Sequence, residues 1–454
     1  MKISYGLALR ESLRQGKVSG KALEDFSCRL ERAQDWLEGL AEKGEVGFME
    51  LPFQDPGPAL EIGKKLKERF KHFVLIGIGG SSLGAETLFH ALKGPLYNSN
   101  PHRGGPTFHV LDNVDPVKTT EVLEEIDPAK TCFCVVSKSG STAESMANFL
   151  VTLEVLKSTV GRNLVRRQVV FITDPEKGAL RELAREEGYQ TLEVPPNVGG
   201  RFSVLSAVGL LPAAVLGLDV KALLAGAARA LEACKTRSLE TNPAWVIAAL
   251  HYLHHTLDDR RISVMMAYHE RLATFADWYR QLWAESLGKE GQGQTPIKAV
   301  GAVDQHSQIQ LYNEGPKDKI ITFLHVEEFA KEVEIPSLYP EKPSLSYLGG
   351  HTLGELLNSE LIGTASALAK NGVPSIVVTL PRVDEKTLGK LFMVYEMATA
   401  ISGYLYGINP FDQPGVEEGK RLTYGLMGRQ GFKDKGKEAR EIWKKRLNKV
   451  CEVS

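Results

Sequence analysis

Val135-Val136-Ser137-Lys138-Ser139-Gly140-Ser141-Thr142-Ala143-Glu144 decides how this chain is read. An apolar run, Cys132 to Val136, stops in six residues dominated by hydroxyls and glycine, and a helical pattern, Ala143 to Val155, follows at once. The order predicts a buried strand, a tight loop and a helix N-terminus. Unpaired backbone N–H groups in a first helical turn, with the positive end of the helix dipole, form an anion site. Ser137, Ser139, Ser141 and Thr142 add hydroxyl donors suited to the oxygens of a phosphate. Ser and Thr also favour helix caps, so a capped helix after a buried strand fits the same residues. The P-loop spacing Gly-x4-Gly-Lys-Ser/Thr is absent.

The pattern of this segment recurs outward along the chain. His72 to Gly77, Phe108 to Asp112 and Val169 to Thr173 are further strand-like runs, each followed by a helical pattern. Continuous apolar strands separated by helices predict a parallel sheet covered on both faces. A second alternation runs through Ile262 to Ala267, Pro296 to Val300, Ile320 to Leu324 and Ser375 to Leu380. The fold class expected is therefore α/β, with two doubly wound α/β/α domains of mainly parallel sheets. The expected boundaries are an N-terminal helical segment (1–64), a first α/β domain (65–225), a second (226–405) and a C-terminal segment (406–454). The last carries the Pro/Gly-rich stretch Gly407 to Gly415 and a Lys-rich terminal helix, Lys433 to Val450.

The bulk properties narrow the function classes. With 454 residues, 43% hydrophobic and 24% charged, the chain is an ordinary soluble globular protein of two or three domains. A formal net charge of −1 gives no global field for nucleic acid or an anionic membrane. Cysteines 28, 132, 134, 234 and 451 fit neither a redox nor a zinc spacing, which suits reduced thiols in the cytoplasm. The N-terminus turns charged early, without a signal-peptide core. Phe202 to Leu218 lacks charge for 17 residues, but Pro212, Gly209 and Gly217 favour a buried helix over a span.

Several further segments carry chemistry. Gly77-Ile78-Gly79-Gly80-Ser81-Ser82-Leu83-Gly84 lets backbone approach a small ligand, with Ser81 as donor, but it departs from the dinucleotide fingerprint GxGxxG. Gly199-Gly200-Arg201-Phe202-Ser203 exposes an arginine suited to a carboxylate or an anionic intermediate, or to a structural salt bridge. Glu285 ends a helix rich in aromatics (Phe275, Trp278, Tyr279, Trp283), surroundings in which a carboxyl can become a proton-transfer base. The same aromatic stripe suits a plain core. Asp304-Gln305-His306-Ser307 opens a helix after a strand, with His306 in its first turn. His251, His254 and His255 share helical spacing but lack a carboxylate arranged for zinc. Lys420 stands in the first turns of a helix, where cations are disfavoured, so a role with an anionic or polar ligand suits it.

Taken together, GIGGSSLG (77–84), SKSGST (137–142), GGRFS (199–203), ESLGK (285–289), DQHS (304–307) and NPFDQPGVEEGK (409–420) closely resemble the phosphoglucose isomerase family, in its order and over about residues 70 to 425. The resemblance implies two sugar isomerase domains and the interconversion of glucose 6-phosphate and fructose 6-phosphate, with no metal or other cofactor. It implies that Ser137, Lys138, Ser139 and Thr142 hold the sugar phosphate and that Ser81, Gly80 and Gly200 line the substrate. Glu285 matches the base that carries a proton between C2 and C1, and Arg201 the residue that stabilises a cis-enediolate. His306 and Lys420 match the groups that assist ring opening, while Gln281 and Gln413 match polar substrate contacts. The histidine comes from a neighbouring subunit in this family, so a homodimer is implied, with no nucleic acid or membrane partner.

Gly140-Ser141 and Leu287 depart from the longer, animal-type pattern, and the chain is shorter, as in the bacterial branch. A related sugar-phosphate isomerase and a catalytically silent sugar-phosphate binder are the rival readings. The silent binder has no reason to retain Glu285, Arg201, His306 and Lys420 together. A nicotinamide-linked dehydrogenase would need a fingerprint and an acidic ribose ligand that the sequence lacks.

Overall fold

The computed structural model describes residues 1–447 and Cys451, and its two five-stranded sheets follow the two alternations. The first has strand order β3-β2-β4-β5-β6, all parallel: β2 (His72–Ile76), β3 (Thr107–Leu111), β4 (Thr131–Val136), β5 (Val169–Thr173) and β6 (Gln190–Glu193). Every residue of β4 and β5 is buried, as expected of strands covered on both faces. Val74, Ile76, Phe133, Val135 and Phe171 form one core with Phe149 and Leu156 of the helix Ala143–Val160.

The second sheet has the order β1-β10-β9-β7-β8, from β1 (Lys2–Ser4), β7 (Ile262–Ala267), β8 (Thr295–Val300), β9 (Lys319–Val326) and β10 (Ser375–Leu380). Four of these strands are parallel, and β1 pairs antiparallel with β10, Ile3 opposite Val378. The N-terminal segment is thus not wholly helical. Three residues with a single apolar side chain carry no readable strand period, and tertiary pairing decides their conformation. The edge strand β6, Gln-Thr-Leu-Glu, escapes a search for apolar runs for a related reason: only Leu192 is buried.

Phe202 to Leu218 divides into a turn, Gly200–Phe202, and a buried helix, Ala207–Val215, that contains Pro212. No helix among the described residues is long and apolar enough to cross a membrane. Residues 1–410 form one compact unit holding both sheets, and a second unit begins at Phe411. That second unit contains the helices Glu417–Leu426 and Lys433–Arg446. The expected extension of the terminal helix to Val450 lies outside the described residues.

Candidate active site

In the first sheet the chain steps from β2 to β3 on one side and then to β4 on the other side of β2. Ligands of open parallel sheets bind beyond the carboxyl ends of strands at such a switch point. The loops leaving β2 and β4 are the two that stand out in the sequence, 77–84 and 137–142.

Ser137 is buried, and its Oγ lies 3.0 Å from Thr142 Oγ1. Ser139 Oγ lies 3.4 Å from the same hydroxyl and accepts from the Ser141 N–H at 3.3 Å. Gly140, at φ +64°, folds the loop back so that these hydroxyls share one small volume. No side chain caps the helix Ala143–Val160, so its first-turn donors are left to a ligand or to water. Lys138 behaves differently from the simple expectation. Its ammonium donates to the carbonyls of Pro196 (2.7 Å) and Val198 (2.8 Å), and burial lowers its pKa while Asp174 opposes the shift. The lysine thereby ties the loop to the segment that leads into Gly199-Gly200-Arg201.

Gly80 is where the two glycine-rich segments meet. A Cβ there would fall 2.2 Å from the Gly200 carbonyl oxygen and 2.7 Å from the Arg201 nitrogen. Only glycine allows that approach. Ser203 Oγ bonds the Gly200 carbonyl at 2.7 Å, and Ser81 ends the neighbouring turn Gly79–Ser81, half-buried.

Arg201 is 4% exposed. Its Nε donates to Ser286 Oγ at 2.7 Å and its Nη2 to the Pro410 carbonyl at 2.5 Å, while Nη1 lies 3.5 Å from Glu285 Oε2. Glu285 Oε1 accepts from Gln281 Nε2 at 3.2 Å, one turn back on the helix Ala273–Leu287. The Glu285 side chain is 34% exposed, so the carboxylate is fixed on one side and open on the other. The aromatic stripe proves to be core. Phe275, Trp278 and Tyr279 pack against Phe392 and Tyr395 of the helix Glu385–Tyr406 and do not enclose the carboxylate. Ser286, buried directly beneath Arg201, is the residue that sequence reasoning missed. Its signal was a hydroxyl at a fully buried helical position beside the glutamate.

His306 follows β8 but does not lie in the first turn of a helix. It caps the short turn Val303–Gln305, and the helix begins only at Ile309. The physical reason is Asp304, whose carboxylate accepts from the Val300 N–H (2.6 Å) and Ser307 Oγ (2.5 Å) and closes a tight loop. Burial pushes the Asp304 carboxyl up, but these bonds and one from Gln308 outweigh it and hold its pKa below the usual range. Tyr268 donates to Gln305 at 2.5 Å on the inner side, leaving His306 exposed on the outer. Among the described residues, no hydrogen bond or ion pair joins His306 to Arg201 or Glu285. Gln413 and Lys420 belong to the second unit, where Lys420 Nζ pairs with Glu417 at 2.8 Å. The structure therefore brings together Gly80, Gly200, Arg201, Gln281 and Glu285, with the hydroxyl-rich loop 137–142 held through Lys138. His251 bonds Gln294 and His254 bonds the Ala8 carbonyl, and no metal-competent cluster occurs among the described residues.

A family model described as phosphoglucose isomerase matches residues 61–319 and 360–434. A glucose-6-phosphate isomerase of Rubrobacter xylanophilus is 48% identical over 92% of this chain and 96% of its own. One of Carboxydothermus hydrogenoformans is 44% identical over 98% of each chain. Among solved structures, a hypothetical protein of Thermus thermophilus superposes with a TM-score of 0.82 at 40% identity, covering 90% of this chain and 97% of the other. A Chlamydia trachomatis glucose-6-phosphate isomerase superposes at 0.81 and 22% identity, covering 97% and 90%, which shows a shared fold.

Proposed function

The chain belongs to the phosphoglucose isomerase family, and from that premise we propose that it interconverts glucose 6-phosphate and fructose 6-phosphate. The observation that carries the reading is the Arg201–Glu285 pair, a carboxylate open on one side and held beside a buried guanidinium. The hydroxyl loop 137–142 grips the phosphate and fixes the far end of the sugar, so binding energy is spent on orientation. His306 and Lys420 assist opening of the pyranose, after which the C2 proton becomes acidic. The Glu285 carboxylate removes that proton, Arg201 stabilises the negative charge developing on the cis-enediolate oxygen, and Glu285 returns the proton to C1. Hydrogen moves within one substrate, so the chemistry calls for no external oxidant.

The exposure of His306, and its lack of a bond to the Arg201–Glu285 pair, support a homodimer in which a neighbouring subunit supplies this residue. Two sugar isomerase domains, 65–225 and 226–405, with the segment 406–454 carrying Gln413 and Lys420, complete the proposal, as does a cytoplasmic location. The test is conversion of fructose 6-phosphate to glucose 6-phosphate with EDTA present and a coupled NADP readout. Rapid conversion supports both reaction and metal independence. A folded sample without activity overturns the reading.

A further inference from the structure

The second sheet has a switch point of its own. From β7 the chain steps outward to β8 and then returns to β9 on the other side of β7. The crevice beyond the carboxyl ends of β7 and β9 is the place where open parallel sheets bind ligands. None of the proposed catalytic residues occupies it.

A cleft of about 610 Å³ opens beside that crevice, lined by Lys93, Tyr97, Ser99, Asn100, Arg271 and Lys331 among others, with no carboxylate in its own lining. Arg271 belongs to the loop after β7 and Lys331 to the loop after β9. Lys93 is contributed by the first α/β half, at the end of the helix Leu83–Leu92, and the Arg271 guanidinium packs against Gly94. None of the three cations forms an ion pair among the described residues. Glu270 and Glu328 line the adjoining cleft, whose wall Arg271 and Lys331 share. Burial and the nearby Lys67 lower the pKa of Lys93, opposed by Glu385, consistent with an excess of positive charge. A cation after a helix C-terminus is favoured by the dipole, which accounts for Lys93 alone. Arg271 and Lys331 have no such reason to face the same space.

The cleft is remote from the catalytic pair. The helices Leu83–Leu92 and Ala273–Leu287 run antiparallel, with Gly79 beside Gln281 at one end, Thr87 Oγ1 bonding the Thr274 carbonyl at 3.1 Å, and Gly94 beside Arg271 at the other. A helix of this length rises about 20 Å, which separates Glu285 from Arg271.

We infer that this cleft is a second anion-binding site, one that takes a small, multiply charged phosphorylated or carboxylated molecule between Lys93, Arg271 and Lys331. Three cations that line one cleft and form no ion pair among the described residues suit more than one negative charge, and Ser99 and Asn100 supply neutral polar groups at the rim. The inference is independent of the proposed reaction, and its test reads binding.

Isothermal titration of the full chain with inorganic pyrophosphate, and separately with citrate, tests it. The wild type and the Ser139→Ala/Thr142→Ala variant should both bind at least one of the two anions at this site, about one per chain. Arg271→Ala/Lys331→Ala should lose that event while retaining wild-type turnover, and Lys331→Ala alone, at an exposed position, should weaken it several-fold. Raising the salt concentration should weaken it further. The two anions distinguish phosphate from carboxylate recognition. The inference is overturned if neither anion binds outside the phosphate loop, or if Arg271→Ala/Lys331→Ala and Lys331→Ala bind as the wild type does.

Discussion

Replacing Gly80 with alanine perturbs the candidate site without removing any functional group. The added Cβ would lie 2.2 Å from the Gly200 carbonyl oxygen, 2.4 Å from its carbon and 2.7 Å from the Arg201 nitrogen. Nonbonded carbon contacts are comfortable near 3.5 Å, so the two backbone segments must part by about 1 Å or more. Backbone cannot swing aside as a flexible side chain would. The displaced segment carries Arg201, whose guanidinium is tied to Ser286 and to the Pro410 carbonyl. A misplacement of about 1 Å can cost about a hundredfold in rate, equivalent to about 2.7 kcal/mol on the barrier. Steady-state conversion of fructose 6-phosphate should therefore show kcat/KM reduced by roughly two orders of magnitude. Circular dichroism should show native secondary structure in the same sample. A folded Gly80→Ala variant that keeps more than about a third of wild-type kcat/KM would refute the idea that this contact positions Arg201.

Ser286→Ala should lower kcat by about tenfold with little change in KM, because it leaves the buried Arg201 Nε without its acceptor and alters charge stabilisation more than binding; an equal loss in both parameters would count against a positioning role. Ser139→Ala with Thr142→Ala should raise KM for the phosphorylated sugar, and an unchanged KM would place the phosphate elsewhere. Glu396 is fully buried in the helix Glu385–Tyr406, both of its oxygens lack partners, and burial holds its carboxyl pKa well above the usual range. The unfolded chain ionises this group above about pH 4.5 while the folded chain retains its proton, so stability falls as pH rises from there toward the folded pKa, by up to about 1.4 kcal/mol per unit. Glu396→Met should accordingly raise Tm at pH 8 more than at pH 5, and an equal shift at both would remove titration from the explanation.

Much of this architecture was legible because buried parallel strands are written as unbroken apolar runs. Cys132 to Val136 and Val169 to Thr173 can be read with nothing else in hand, and the helix Leu83–Leu92 begins and ends where its pattern does. Lys2–Ser4 and Gln190–Glu193 could not be read in that way, since edge strands owe their conformation to a neighbour. The hydroxyl loop was legible as a tight turn between a buried strand and a helix, yet Lys138 carries a structural task that no local pattern announces, bonding carbonyls some sixty residues away. The aromatic stripe of the helix Ala273–Leu287 looked like an environment for Glu285. It faces the opposite way, because a helix turns its apolar side to the core and leaves the other for chemistry. His306 fell outside its expected helix because the Asp304 carboxylate, which closes the loop before it, acts through contacts that spacing does not reveal.

In the proposed mechanism Glu285 alone carries the proton between C2 and C1, and Glu285→Gln in heavy water tests this role. Wild-type enzyme should leave deuterium in the hexose phosphate product, since a carboxylate exchanges its proton with solvent between the two transfers. The variant should still bind fructose 6-phosphate but lose turnover by several orders of magnitude, with deuterium incorporation lost in parallel. A variant that keeps more than about a tenth of wild-type turnover, or that still incorporates deuterium at the wild-type rate, would contradict the assignment.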